Sequence, residues 1–261
     1  MATFPDIAPG ESISVSATLY VTYRSCPQQA LGRLQGIYPP DTVASFKGSL
    51  AHRLFARHLV SGPIADDDLG RACREEIGAK EGHLNEKLVS LELNRPSRLA
   101  LVLAEVADLY KRFKRFPSEG FRDAEVPLEV PVPGGVMLRG RVDAIFDDAG
   151  APVIVDWKTG SWLENSDAQL GFYVLVWTLA FDELPVRAEA VSVLTGERLG
   201  IEPTPEQAET TAREVASMVE DLRGALGTGD DLERRAGPHC RWCPLLSNCG
   251  EGSTAVALLD G

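Results

Sequence analysis

The chain has 261 residues, 44 % hydrophobic and 25 % charged, with a formal net charge of −12. These are ordinary globular values for a chain long enough to bury a full core, and the acidic balance excludes a general nucleic-acid coat. With no apolar run of membrane-span length and no basic-then-apolar leader at the start, a cytoplasmic protein is the expectation. Charge is unevenly placed: residues 95–116 carry six basic residues against two acids, whereas residues 117–261 carry 11 against 25. A small basic face on an acidic protein is one reading of this run; a solvated charged face is the other.

From residue 16 to about 116 the pattern is helical, with turns at "IYPPD" and "SGPIADDD". Asp41 is placed to cap a helix over "TVASFKGSLAHRLFARHLV", and Ser97 one over "RLALVLAEVADLYKRF". Strands follow. "AEVPLEVPV", "VMLRGRVDAIF" and "PVIVDW", separated by "PGG" and "DDAG", predict a three-stranded meander. A helix over "DAQLGFYVLVWTLAF" opens at Ser166, with Gln169 in capping-box register. "RAEAVSVLT" and "ERLGI" are further strands, and Pro205 opens a last long helix. The expected fold is α/β, a central mixed sheet flanked by helices. It divides into a helical part over 1–116 that carries Cys26 and His52, a core over 117–235, and a cysteine-bearing region over 236–261, all in one compact module.

Strand alternation puts Asp156 and Lys158 on one side of "PVIVDWKTG". A solvated ion pair at a strand end is the plain reading. The hairpin through "DDAG", however, pairs this strand with the one holding Asp143 and brings the two carboxylates together. Converging carboxylates repel unless a cation joins them, and hard oxygen ligands suit Mg²⁺ or Mn²⁺. Lys158 beside such an ion orients or deprotonates the attacking water and steadies charge on a phosphate.

Five cysteines are present, an odd count. Cys240, Cys243 and Cys249 crowd near the end with x2 and x5 spacing, and Cys26 lies far upstream in "YRSCP". In a reducing compartment such crowding suggests metal or cluster ligation. Three thiolates need a fourth ligand, for which Cys26, His239 and Cys73 are the candidates. Cys73, within the helical "GRACREEIG", is expected to be a buried free thiol. Spacing alone leaves zinc and an iron–sulfur cluster both open.

"GRVDAIF" followed by "VIVDWKTG" resembles the PD-(D/E)XK nuclease superfamily in its RecB-like branch. The resemblance implies a restriction-endonuclease-like fold with Asp143, Asp156 and Lys158 as catalytic residues. "QLGFY" is similar to the branch's Q-x-x-x-Y motif, which implies that Gln169 and Tyr173 face the substrate strand; a helix cap and a core tyrosine are the alternative. "FKGSLAH" places Gly48 and His52 on one helix face, and the resemblance makes His52 a further ligand, so that His52, Asp143, Asp156 and Trp157 form the metal set; a structural histidine packed on an amphipathic helix is the alternative. The resemblance also implies an additional acid near the metal, Glu129 with Glu125 its competitor; a surface-facing acid is the alternative for either. Asp rather than Glu at 156 departs from many members.

One N-terminal cysteine with C-x2-C-x5-C near the C-terminus resembles the iron–sulfur nucleases of the AddB and Cas-four types. It implies a [4Fe–4S] cluster on Cys26, Cys240, Cys243 and Cys249, with Zn²⁺ the alternative. The expected function is a Mg²⁺- or Mn²⁺-dependent DNA nuclease, an exonuclease on single-stranded or frayed ends, since no Walker A loop is present to drive unwinding. Its partners would be single-stranded DNA and either CRISPR adaptation proteins or a helicase subunit of recombinational repair. Lys111, Arg112, Lys114 and Arg115 would hold the DNA. The rival is a catalytically inactive iron–sulfur or zinc-stapled DNA-binding adaptor.

Overall fold

A computed structural model describes residues 3–79, 84–161, 163 and 166–260. Strand β1 (Ile13–Ser16) leads into helices α1 (Ala17–Ser25), α2 (Pro27–Leu34), α3 (Val43–Ser61), α4 (Leu69–Ala79), α5 (Leu84–Ser90) and α6 (Pro96–Phe113). The meander follows as β2 (Phe121–Val132), β3 (Val136–Asp148) and β4 (Ala151–Lys158). After it come α7 (Ser166–Phe181), β5 (Arg187–Ser192), β6 (Arg198–Ile201), α8 (Pro205–Thr228) and α9 (Gly250–Asp260).

The six strands form one mixed sheet. β2, β4 and β6 pair antiparallel with β3, β3 and β5 respectively, while β1 joins β3 and β5 joins β4 in parallel. β1 is too short for a sequence pattern to reveal; its Ile13 and Val15 are buried against β3. Side-chain alternation along β4 feeds two cores. Ile154 joins the layer of α1, α2, α7 and α8, whereas Val153, Val155 and Trp157 join the layer of α3, α4 and α6.

Neither Asp41 nor Ser97 caps its helix. Thr42, not Asp41, caps α3: its hydroxyl accepts from Ser45 N at 3.0 Å and Ser45 Oγ accepts from Thr42 N at 2.9 Å. Asp41 instead lies 3.4 Å from Lys87. α6 begins at Pro96 with Arg95 as the flanking residue and no side-chain cap, because a proline in the first turn needs no N–H partner and has its φ preset. The box at the head of α8 forms between Thr204 and Gln207.

Candidate active site

β1 and β4 occupy the same edge of β3 from opposite directions. β1 pairs as far as Arg139 and β4 from Ala144 onward, so both strands end facing the stretch from Gly140 to Asp143. Crevices at the carboxyl ends of strands, where the sheet order switches, are where open α/β sheets bind ligands. β3 also changes the layer it faces here. Val142 belongs to one core and Ala144 to the other, although regular alternation would put both on one side. Across the hairpin, between the Ala124–Ala144 and Val126–Val142 pairs, Glu125 holds a left-handed φ of 53°. A non-glycine residue in that region is uncommon and concentrates at functional sites.

Asp143 is the hub of the crevice. Its Oδ2 accepts from the backbone N–H of Trp157 at 2.8 Å, and its Oδ1 lies 3.2 Å from His52 Nδ1. His52 reaches it because α3 comes close to the strand end one turn earlier: a Cβ on Gly48 would stand 3.3 Å from Thr159 Oγ1. Gly48 and His52 share a helix face by their spacing of four. One ligand atom each from His52, Glu125 and Asp143 lies within 4.8 Å of the others. Burial pushes the His52 pKa down, but the Asp143 carboxylate beside it, helped by Asp156 and Glu125, overrides this, and the net displacement is upward.

Asp156, Lys158, Gln169 and Tyr173 form a second, connected group. Lys158 Nζ donates to Gln169 Oε1 at 2.6 Å, and Gln169 Nε2 donates to Asp156 Oδ1 at 2.9 Å and to Tyr173 OH at 3.0 Å. Gln169 thus spends its amide on the site and not on a helix cap. Tyr173 packs its ring over Gly140, where an added Cβ would approach Cδ1 to 3.4 Å. Burial drives the Tyr173 hydroxyl well above its ordinary range, which keeps it protonated. Burial of Asp156, followed by repulsion from Asp143 and opposed by Lys158, pushes its pKa up to about 6.

Trp157 takes part only through its peptide. Its indole is buried against the rings of Phe113 and Phe116. Glu129 lies at the surface, 3.3 Å from Arg139, and Glu125 is the acid of β2 that meets Asp143. Both glutamates stand in the same strand, β2, and only the local backbone distinguishes them.

The donor set fits a hard divalent cation. It offers carboxylates from Asp143 and Glu125 with an imidazole from His52. Asp156 Oδ2 is buried and lies 2.7 Å from Lys158 Nζ, an ion-pair contact not aligned as a hydrogen bond, so this oxygen has no hydrogen-bond donor.

At the far end of the chain, Cys26, Cys240, Cys243 and Cys249 line one cavity of about 80 Å³ together with His239. Gly252 in α9 lets the backbone close over two of the thiols: a Cβ there would stand 3.2 Å from Cys249 Sγ and 3.4 Å from Cys240 Sγ. The N–H groups of Gly252 and Gly237 donate to Cys249 Sγ at 3.3 Å and Cys240 Sγ at 3.4 Å. Cys73 lies on the buried face of α4, apart from this cavity.

The basic stretch lies at the end of α6. Lys111 and Arg115 are exposed there. Lys114 donates to Asp66 at 2.6 Å and Arg112 to the Leu194 carbonyl at 3.4 Å. Among the described residues no helix is long and apolar enough to cross a membrane.

Comparisons with known proteins bear on the family and the fold. The family model described as the PD-(D/E)XK nuclease superfamily matches residues 14–250. Among solved structures, the chain is similar to a "Putative exonuclease" from Eubacterium rectale, with 14 % identity and a TM-score of 0.50, over 90 % of this chain and 87 % of that one. It is also matched to SSO0001 at 12 % identity and a TM-score of 0.37, over 89 % of this chain and 95 % of that one. No curated protein matches.

Proposed function

The chain belongs to the PD-(D/E)XK nuclease superfamily, and on that premise we propose that it hydrolyses phosphodiester bonds in DNA with a divalent cation held by His52, Glu125, Asp143 and Asp156. The observation that carries this reading is the unbroken path from Tyr173 through Gln169 to Asp156 and Lys158, set beside the His52–Glu125–Asp143 group. When bound, Mg²⁺ or Mn²⁺ supplies Lewis-acid polarisation of the phosphate and lowers the pKa of a nearby water.

The protein's own groups do the positioning. An ammonium has three donors. Lys158 directs one to Gln169 and keeps only an ion-pair contact with Asp156, which leaves donors to aim at the attacking water or a phosphate oxygen. Gln169 fixes Lys158 and Asp156 relative to each other. The Trp157 N–H holds Asp143 by Oδ2, leaving Oδ1 toward His52 and the cation. Water attacks phosphorus, the bond to the leaving oxygen breaks, and a proton ends on that oxygen.

The substrate in this reading is a single strand or a frayed end. The chain has no Walker A loop to power unwinding of a duplex. The name carried by the Eubacterium rectale protein favours exonuclease action. The four cysteines at one cavity are the ligands of a structural [4Fe–4S] cluster. The gathering of Cys26 with Cys240, Cys243 and Cys249 at that cavity supports this assignment, and a tetrahedral zinc is the alternative. CRISPR adaptation and recombinational repair are the two settings for such an enzyme.

The test uses end-labelled single-stranded and duplex DNA with Mg²⁺ or Mn²⁺. Cleavage of the single strand that stops in excess EDTA is expected. Cleavage that persists in EDTA overturns the metal mechanism, and no cleavage of any DNA with either cation favours the inactive adaptor.

A further inference from the structure

Glu125 is claimed twice. It completes the group with His52 and Asp143, yet Arg141 Nη1 donates to its Oε2 at 3.2 Å. Arg141 also lines a groove of about 380 Å³ shared with Gly140, Arg139 and Tyr173. Tyr173 carries this groove directly to Gln169 and the catalytic carboxylates.

A dication and a guanidinium repel each other and draw on the same carboxylate charge. The Arg141 side chain is 58 % exposed, and an ion pair so exposed shifts an equilibrium by only about twofold to fivefold. A cation that Glu125 shares with His52, Asp143 and Asp156 therefore wins Glu125. The displaced guanidinium then lacks an acceptor, and its planar fork matches phosphate oxygens.

We infer that Arg141 is a latch on Glu125: cation binding releases its guanidinium from Glu125 to a phosphate of the DNA strand lying in the groove over Gly140 and Tyr173. Metal and DNA then bind cooperatively, and linkage makes the effect reciprocal. This rests on the nuclease reading above. Arg139 is the internal control. It lines the same groove, but its partner is Glu129, outside the metal group.

The experiment measures Mn²⁺ affinity by calorimetry without DNA. It then measures affinity for a single-stranded oligonucleotide by anisotropy, with and without Mn²⁺, in a Lys158→Ala background that does not cut. Arg141→Ala should bind Mn²⁺ about twofold to fivefold more tightly. It should lose most of the Mn²⁺-induced gain in DNA affinity, and its log–log salt slope should fall by about 0.7. Arg141→Lys, which keeps the charge without the fork, should restore the ordinary Mn²⁺ affinity but only part of the gain. Arg139→Ala should leave Mn²⁺ affinity as it was.

If Arg141→Ala binds Mn²⁺ equally or more weakly, while Asp143→Ala still abolishes binding, the latch is overturned and the nuclease reading stands. If the unaltered protein binds no Mn²⁺, both are overturned.

Discussion

His52 on α3 and Asp143 on β3 face each other at 3.2 Å, 91 positions apart in the chain, and the contact joins the helical layer to the sheet at the crevice. It exists because Gly48 allows α3 to approach Thr159. Gly48→Val should push the helix off that turn and weaken Mn²⁺ binding, with an effect close to that of His52→Ala. Calorimetry on both variants checks this. Unchanged Mn²⁺ affinity in both would return His52 to a packing role.

Asp143→Asn and Lys158→Ala should each lower cleavage by about 10³-fold or more, the scale on which single charged groups act in such sites. Asp143→Asn should also lose Mn²⁺ affinity, whereas Lys158→Ala should keep it. Both should melt near the parent temperature, since neither leaves a large cavity. Kinetics, calorimetry and thermal melting on the same preparations separate the outcomes.

Gln169→Ala should cost about 10- to 100-fold in activity, the range seen when residues that orient ligands are removed. Tyr173→Phe should cost less, because its ring still covers Gly140 and only the bond from Gln169 is lost, worth about 1 kcal/mol. Equal losses in the two variants would show that the hydroxyl touches the substrate.

Acidification should stabilise the metal-free protein. Asp156 titrates near 6 when folded against an ordinary value of 3.8, so between these values the folded state binds more protons than the unfolded chain, and stability falls as pH rises. His52, raised above its ordinary 6.5, acts in the same direction: its contribution is present below that value and lost as pH rises through the folded one. Melting temperature should therefore be higher at pH 5 than at pH 7.5, and less so in Asp156→Asn. Added Mn²⁺ should stabilise more at pH 7.5, where its ligands are deprotonated. The opposite ordering, with Mn²⁺ most effective at pH 5, would rule out these carboxylates as the binding site.

Cys26→Ser should give protein lacking iron and of low solubility, and Cys73→Ser should change little. Joining Cys26 to the three C-terminal cysteines closes nearly the whole chain into a loop. By the entropy scaling used for disulfides such a closure stabilises by about 5 kcal/mol, comparable to the net stability of a typical domain. Iron, acid-labile sulfide, zinc and absorbance near 400 nm, measured on protein purified without oxygen, decide the ligand. Stoichiometric zinc in a colourless solution overturns the cluster.

What the sequence determined by itself rests on short periods that survive folding. Alternation in "PVIVDWKTG" put Asp156 and Lys158 together, helical spacing did the same for Gln169 with Tyr173 and for Gly48 with His52, and the turn at "DDAG" brought Asp143 to its place. Each depends on backbone geometry over a few residues, which local residue types specify.

The tertiary structure decided what depends on distant partners or on one unusual backbone angle. Glu125 and Glu129 are equivalent in a strand pattern; the left-handed φ of Glu125 and the change of face at Asp143 turn one toward the site and leave the other beside Arg139. The four bases at the end of α6 read as one charged run until Asp66 engages Lys114 and the Leu194 carbonyl engages Arg112. The pairing of β1 with β3 and the meeting of Cys26 with the C-terminal thiols join the two ends of the chain. Such contacts follow from burying a common core, a property of the whole chain that no single stretch contains.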